Sequence, residues 1–267
     1  TKENSLTKAS QDIVAKLDGK VKLTTYVNLF GELYGITAKN IKRDIDRYER
    51  YIRYKPDMEL NYVFYYHVDT TSENFKKRYP GKTLLGAVKD AVKLQDTRSG
   101  RYLTPEEIAK VETEKGINLS DERYDFVTLI ERENGQRTFL RVYRDFMNPL
   151  PGETEISAAL KRVAMRLPRV GILSDRGARS SVGDGNGDYS YSVSEKTYRR
   201  AMINQGFDVL DVSLRRGCRD LDSLDILIVS EPLEPFTSDE LDILYSYVEN
   251  GKNLLVAGKP KTYSYLT

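Results

Sequence analysis

Few residues in this chain are equipped for chemistry. Its 267 residues include one histidine, His67, one cysteine, Cys218, and no tryptophan. A disulfide within the chain is thereby excluded, and so is a zinc site built from Cys and His. A Ser-His-Asp or Cys-His pair would have to use His67. That residue closes the run Asn61-Tyr62-Val63-Phe64-Tyr65-Tyr66, and at the end of a strand it reads as structural. Cys218 follows Arg215-Arg216-Gly217, whose charges favour a thiolate. With no base beside it in sequence, it reads as a plain thiol.

The acidic residues offer one suggestive spacing. Asp184, Asn186 and Asp188, with Glu195 eleven residues after Asp184, fall at positions 1, 3, 5 and 12 of a calcium loop. Tyr189 stands where that pattern needs glycine, and no helix is evident before the loop. The competing reading is a solvated polar turn, and no metal ligand is assigned. Ser174-Asp175-Arg176-Gly177 follows an apolar run, the place where open α/β sheets bind ligands and where a glycine-rich turn can cradle phosphate. Neither G-x-G-x-x-G nor G-x-x-x-x-G-K-[ST] is present, so no nucleotide site and no other cofactor is assigned. Asp175, Asp184 and Glu231 are the carboxylates that a hydrolase or carbohydrate-active enzyme would use. No catalytic residue is assigned.

The elements that must position these groups form two halves. In the second, Val170–Leu173, Leu224–Val229 and Asn253–Ala257 are short runs rich in Val, Ile and Leu, as buried parallel strands require. Enzymes of this layout carry a nucleophile in the turn after such a strand. Here Gly258-Lys259-Pro260 offers no Ser, Cys or acid, which favours a binding or assembly module over an enzyme. Phe207–Val212 reads as a strand beside Leu224–Val229, and Val193–Gln205 as a helix. Ser174–Ser192 reads as a mobile loop, and Thr237-Ser238-Asp239-Glu240 as a capping box opening a helix.

In the first half, Leu6–Leu17 reads as a short helix and Val21–Val27 as a strand. Ile41, Ile45, Tyr48 and Ile52 mark one face of a helix, and Leu60–Tyr66 a strand parallel to the first. Leu84, Leu85, Val88 and Val92 suggest another helix, and Thr104-Pro105-Glu106-Glu107 is a strong helix start. Tyr124–Ile130 and Arg137–Tyr143 flank Asn134-Gly135, expected as a type I′ hairpin turn. Ile156, Leu160, Val163, Ala164 and Leu167 mark a helix ending at Pro168. Of the tyrosines, Tyr48 and Tyr62 read as core, and Tyr51 and Tyr54 as interface candidates. The expected fold class is α/β in two domains: residues 1–167 thioredoxin-like, residues 168–267 a flavodoxin- or amidotransferase-like doubly wound sheet. The redox position of a thioredoxin-like domain falls at Phe30-Gly31-Glu32-Leu33-Tyr34-Gly35-Ile36, which holds no cysteine, so thiol redox catalysis is excluded.

Charge narrows the partners. Lys+Arg 42 against Asp+Glu 40 leaves +2, no global field for nucleic acid or an anionic membrane. No run approaches the roughly 20 apolar residues of a membrane span, and no signal peptide is visible. The opening at Thr1 without Met suggests an excised or processed piece.

The assembled motifs resemble the extracytoplasmic region of gliding-motility-type auxiliary ABC transporter proteins. The opening Asn4-Ser5-Leu6-Thr7-Lys8-Ala9-Ser10 leading into Val21-Lys22-Leu23 is similar to that family's first helix and strand. Leu224 to Pro232, Phe236-Thr237, Asp239-Glu240-Leu241 and Tyr247 to Val256 resemble its second-half pattern. The family's G-H-G-E-like string is replaced here by Ser174-Asp175-Arg176-Gly177, so no role of that string carries over. The resemblance implies a non-catalytic binding or scaffold module on the extracytoplasmic, periplasmic side of the inner membrane, anchored by segments outside this chain. Its implied partners are an ABC-2-type permease and its ATPase, with the crevice between domains and the Ser174–Ser192 loop as contact surface. A soluble ligand-binding receptor is the remaining alternative.

Overall fold

The computed structural model describes residues 5–31, 41–95, 101–182, 188–216 and 218–258. They divide into two compact α/β units, Thr1–Ala164 and Met165–Thr267, each around its own four-stranded sheet, the first mixed and the second all-parallel.

In the first unit α1 (Lys8–Val14) is capped by the Thr7 side chain. It leads to β1 (Val21–Asn28), α2 (Ile41–Ile52) and β2 (Met58–Tyr65). β1 and β2 pair in parallel along their whole length, as the β-α-β reading requires. Helices α3 (Glu73–Arg78), α4 (Leu84–Gln95) and α5 (Pro105–Lys115) follow. Then come the antiparallel strands β3 (Phe126–Arg132) and β4 (Arg137–Arg141), and α6 (Glu153–Ala164). The sheet order is β2-β1-β3-β4. In the central strand β1 only Lys22 reaches solvent. One core cluster holds Leu23, Tyr48, Ile130 and Leu160, and another holds Tyr26, Tyr65, Ile108 and Leu129. Burial of both faces explains why β1 lacks clean alternation. Of its two buried threonines, Thr25 bonds Thr128 at 2.8 Å across the β1–β3 pair, while the Thr24 hydroxyl is buried without a hydrogen-bond partner.

Several expectations about local structure are corrected. The buried face of α2 is Asp44, Tyr48 and Tyr51, while Ile45 is 36% exposed. Polar anchoring rotates the helix: the Tyr51 hydroxyl reaches Ser157 Oγ at 2.8 Å and donates to the Glu153 carbonyl at 3.0 Å. Tyr51 is therefore core, not interface, whereas Tyr54 does face solvent. The hairpin turn is not type I′. Among residues 133–135 only Gly135 has positive φ, at 86°, and its N–H donates to the Arg132 carbonyl. This is a three-residue type I turn closed by a glycine bulge. The short helix α3, capped by Ser72, was not read from the sequence.

The second unit runs β5 (Arg169–Leu173), α7 (Ser190–Val193), β6 (Asp208–Val212), β7 (Ile226–Ser230), α8 (Ser238–Glu249) and β8 (Asn253–Ala257). The order is β6-β5-β7-β8. β6 therefore pairs with β5 and not with β7, because the link from β6 to β7 passes through two 3-10 turns, Leu214–Arg216 and Cys218–Ser223, that carry the chain past β5. The helix expected over Val193–Gln205 is the single turn α7 followed by coil and a 3-10 turn at Met202–Asn204. The buried Asn204 amide donates to the carbonyls of Lys196 and Tyr198, groups that a continuous helix would have satisfied itself. The capping box at Thr237 and Glu240 is present, as is the one at Thr104 and Glu107.

Gly171, in the middle of β5, has no room for a side chain. A Cβ there would overlap Leu224 Cδ1 and lie 2.8 Å from Val212 Cγ2, both in the core of this unit. Gly171→Ala should lower the stability of the second unit by about 1–3 kcal/mol through overpacking. Denaturant unfolding read on both units checks this, and an unchanged midpoint for the second unit would contradict it.

Candidate functional site

In an open parallel sheet ligands sit beyond the carboxyl ends of the strands, where the strand order reverses. With the order β6-β5-β7-β8 that point lies between β5 and β7. It is built by Ser174–Ser181 after β5 and by Glu231–Glu234 after β7.

The chain fills this position with itself. Arg179 N–H donates to the Ser230 carbonyl at 3.1 Å, and Leu233 N–H and Glu234 N–H donate to the Arg176 carbonyl at 2.7 and 3.2 Å. Side chains reinforce the closure. Arg176 Nε donates to Glu240 Oε2 at 2.9 Å, with a second guanidinium nitrogen at 2.8 Å and Glu234 at 3.5 Å. Arg179 pairs with Glu231 at 2.5 Å. Tyr189, 5.7 Å beneath the Arg179 guanidinium, hydrogen-bonds the buried Ser230 hydroxyl at 2.6 Å. The bonds from Glu240 hold the Arg176 guanidinium above its ordinary range. Burial works to raise the Glu240 carboxyl, but the Thr237 N–H and Arg176 overcome it and leave the group below the usual range.

Two non-glycine residues here hold left-handed backbone, Arg176 at φ 59° and Glu231 at φ 47°, a conformation that persists only where surrounding contacts impose it. α/β enzymes hold their nucleophile in such a strained turn. The sequence pointed for that turn to Gly258-Lys259-Pro260, of which Lys259 and Pro260 lie outside the described residues. β8 is also an edge strand. The strained turn is at Glu231, and its carboxylate is held by Arg179.

The other expected groups are used locally. The buried Asp175 carboxylate accepts from Ser213 Oγ at 2.7 Å and Leu214 N–H at 2.5 Å, so it starts a 3-10 turn. Ser181 donates twice to Asp211, at 2.9 and 2.8 Å. Residues 174–181 are therefore tied by hydrogen bonds and ion pairs to β6, β7 and α8 where a mobile loop is expected, while Val182 is exposed. Of the calcium pattern, Asp184 and Asn186 lie outside the described residues. Asp188 accepts from the backbone and hydroxyl of Ser190, and Glu195 from the backbone and hydroxyl of Thr197. Among the described residues no group of three or more His, Cys, Asp or Glu is placed to hold a metal. The side chain of Cys218 lies outside the described residues.

In the first unit the position after β1 is held by Asn28. Its amide donates to the carbonyls of His67 at 2.8 Å and Tyr124 at 2.6 Å, and its oxygen accepts from Phe30 and His67 N–H at 3.2 and 3.0 Å. Both donors and both acceptor sites are in use. Arg123 and Tyr124 take left-handed backbone, φ 58° and 46°, so β3 begins only at Phe126, later than expected. The His67 ring stacks on Tyr124 at 3.7 Å, which supports its structural reading. Glu32–Ile36 lie outside the described residues.

The first unit also encloses an acid. Asp44 is 1% exposed and accepts from the Tyr62 hydroxyl at 2.7 Å, with Arg47 3.9 Å away. Burial raises its carboxyl to about 6, against the lowering by Tyr62 and Arg47.

Residues 167–265 match a family model described as an ABC-type uncharacterized transport system. The match supports an auxiliary ABC transport family and a transport-associated accessory role. It covers the second unit and leaves the first outside it. No curated protein and no solved structure matches the chain. No helix among the described residues is long and apolar enough to cross a membrane.

Of the groups that complete the closure, the sequence marks Glu231 as a candidate acid, Glu240 only as part of a capping box and Tyr189 only as a departure from the calcium pattern, and it does not mark Arg179. Arg176 and Arg179, three residues apart after a strand, were the one available signal.

Two outcomes follow. Asn28→Ala leaves the carbonyls of His67 and Tyr124 without their donor, at a cost of about 2–4 kcal/mol to the first unit, measurable by denaturant unfolding. Asp44 has a folded pKa above its unfolded value of 3.8, so its contribution is most favourable below the unfolded pKa and is lost as pH rises through about 6. The loss amounts to roughly 3 kcal/mol at neutral pH. Asp44→Asn should remove that pH dependence from the stability of the first unit, and parallel stability-versus-pH curves for the two proteins would refute the assignment.

Proposed function

We propose that the protein is a non-catalytic binding and scaffold module of a gliding-motility-type ABC-2 transport assembly. It works on the extracytoplasmic side of the inner membrane, held there by segments outside these residues, with a permease and its ATPase as partners. In this reading the first unit is a thioredoxin-like domain without its thiols, which its β2-β1-β3-β4 order supports. The second is an amidotransferase-like domain without its nucleophile. The observation that carries the reading is the self-closed position between β5 and β7 in the unit that matches the transport family. Arg176 and Arg179 are paired with Glu240 and Glu231, Asp175 is capped by Ser213 and Leu214, and no histidine exists in that unit. A hydrolase built on Asp175 and Glu231 would need both carboxylates released from these partners.

The test uses the full-length gene product in its own cells. The protein is expected to remain with membranes after an alkaline wash, to be cut by added protease only once the outer side is opened, and to co-purify with a permease. Asp175→Asn is expected to retain the permease. A soluble cytoplasmic protein, or a hydrolytic activity abolished by Asp175→Asn, would overturn the proposal.

A further inference from the structure

Among the described residues the outer strand β8 pairs only with β7. An open strand edge is a template for another chain, and proteins guard such edges with charge, proline or a bulge. β8 has none of these. It reads Asn253-Leu254-Leu255-Val256-Ala257, and its register with β7 is unbroken over all five residues. Leu255 and Val256, on opposite faces of the sheet, are each about half exposed.

The helix above the edge continues this surface. On one flank of α8, Ile243, Ser246 and Asn250 line a cavity with Leu221, which belongs to the turns that follow β6. Leu241, Tyr245 and Val248, at i, i+4 and i+7, form the opposite flank, on the side of β8. Leu241 and Leu254 both pack against the core here, and Val256 shares the face of Leu254. Tyr245 and Val248 are about half exposed.

The backbone decides how the edge can be used. The Ala257 carbonyl accepts from the Glu231 N–H at 3.0 Å, on the β7 side. Backbone groups alternate in direction along a strand, so Leu254 and Val256 turn theirs outward. Two antiparallel copies of β8, related by a two-fold axis at Leu255, then match. Leu254 exchanges both hydrogen bonds with the partner's Val256, and Leu255 faces the partner's Leu255 as a non-hydrogen-bonded pair, with Cα atoms about 4.5 Å apart. The pairing brings no like charges together, since no position on this surface is charged. Lys252, beside the strand, sends its Nζ to the carbonyls of Asp222 and Leu224. In a chain whose residues are 31% charged, a neutral surface of this kind fits its own copy better than a charged partner.

We propose that two copies of the protein associate through antiparallel pairing of β8, burying Tyr245, Val248 and Val256 of each copy beside the joined strands. The contact is isologous, as a two-fold dimer requires. A five-residue strand spans only about 17 Å, so the interface stays below the roughly 1,600 Å² of a standard one and the dimer is weak. The proposal does not rest on the transport reading and stands or falls separately from it.

Sedimentation velocity of the full chain over a roughly hundredfold concentration range tests it. The sedimentation coefficient is expected to rise with concentration toward that of a dimer. Val256→Lys is expected to weaken association by about tenfold or more and to leave the melting temperature of the dilute protein unchanged, because Val256 is half exposed. In a Cys218→Ser background, Leu255→Cys is expected to give an intersubunit disulfide on mild oxidation with diamide. Val256→Cys is not, because the two Val256 positions stand beyond disulfide reach in this register. A chain that stays monomeric at every concentration overturns the proposal, and protection of β8 amides from hydrogen exchange in that monomer would assign the edge to residues of the same chain. Dimers left intact by Val256→Lys, or cross-linked as readily by Val256→Cys as by Leu255→Cys, overturn it as well.

Discussion

A strand buried on both faces has to leave the core without stranding the polar groups of the chain that follows it. β1 and β5 are the inner strands of the two sheets that meet this constraint most severely, with seven of eight and four of five residues buried. Each is resolved by one short side chain just where the strand ends. Asn28 bonds the backbone of three segments that converge after β1. Asp175 holds Ser213 and Leu214 after β5. Asn28 has no donor or acceptor site left, each Asp175 oxygen already accepts one bond, and both residues occupy the positions where related layouts place their chemistry.

Once those strand ends are fixed, the loops around them have little freedom. In the first unit Arg123 and Tyr124 accept left-handed backbone so that the Tyr124 carbonyl meets Asn28 and its ring meets His67. In the second, Arg176 and Glu231 do the same as the chain after β5 crosses the end of β7. The paired arginines and glutamates there are buried or half-buried, which makes truncating one partner more damaging than the net worth of the pair would suggest. Closure by the chain's own groups is the common property of both units.

Legibility in the sequence followed the range of the interaction. The capping boxes at Thr104 and Thr237 were readable because both partners lie within one turn. The apolar runs that became β5, β7 and β8 were readable as strands from composition alone, but the expected burial fails for β8, an edge strand that exposes Leu255 and Val256. The role of Asn28 was not, since its partners lie 39 and 96 residues away, and neither was Arg176 with Glu240, 64 residues apart. Tyr51 was misjudged because its burial depends on Ser157, in a helix 106 residues later. The neighbours of β6 were misjudged because sequence adjacency to β7 carries no information about which parallel strand lies beside it. The hairpin at Asn134-Gly135 was located correctly, and only the turn geometry, set by one left-handed residue instead of two, differed.

The distribution of aromatic residues has an optical consequence. The chain has no tryptophan, so its near-ultraviolet spectrum belongs to tyrosine. Among the described residues the tyrosines that are fully enclosed, Tyr26, Tyr48, Tyr51, Tyr65 and Tyr143, lie in the first unit, and burial pushes Tyr26 up to about 12 while Tyr48, Tyr51 and Tyr65 are raised too. Near-ultraviolet dichroism and phenolate absorbance therefore report mainly on the half of the molecule outside the family match, and loosening of the other half would be comparatively silent in the spectrum.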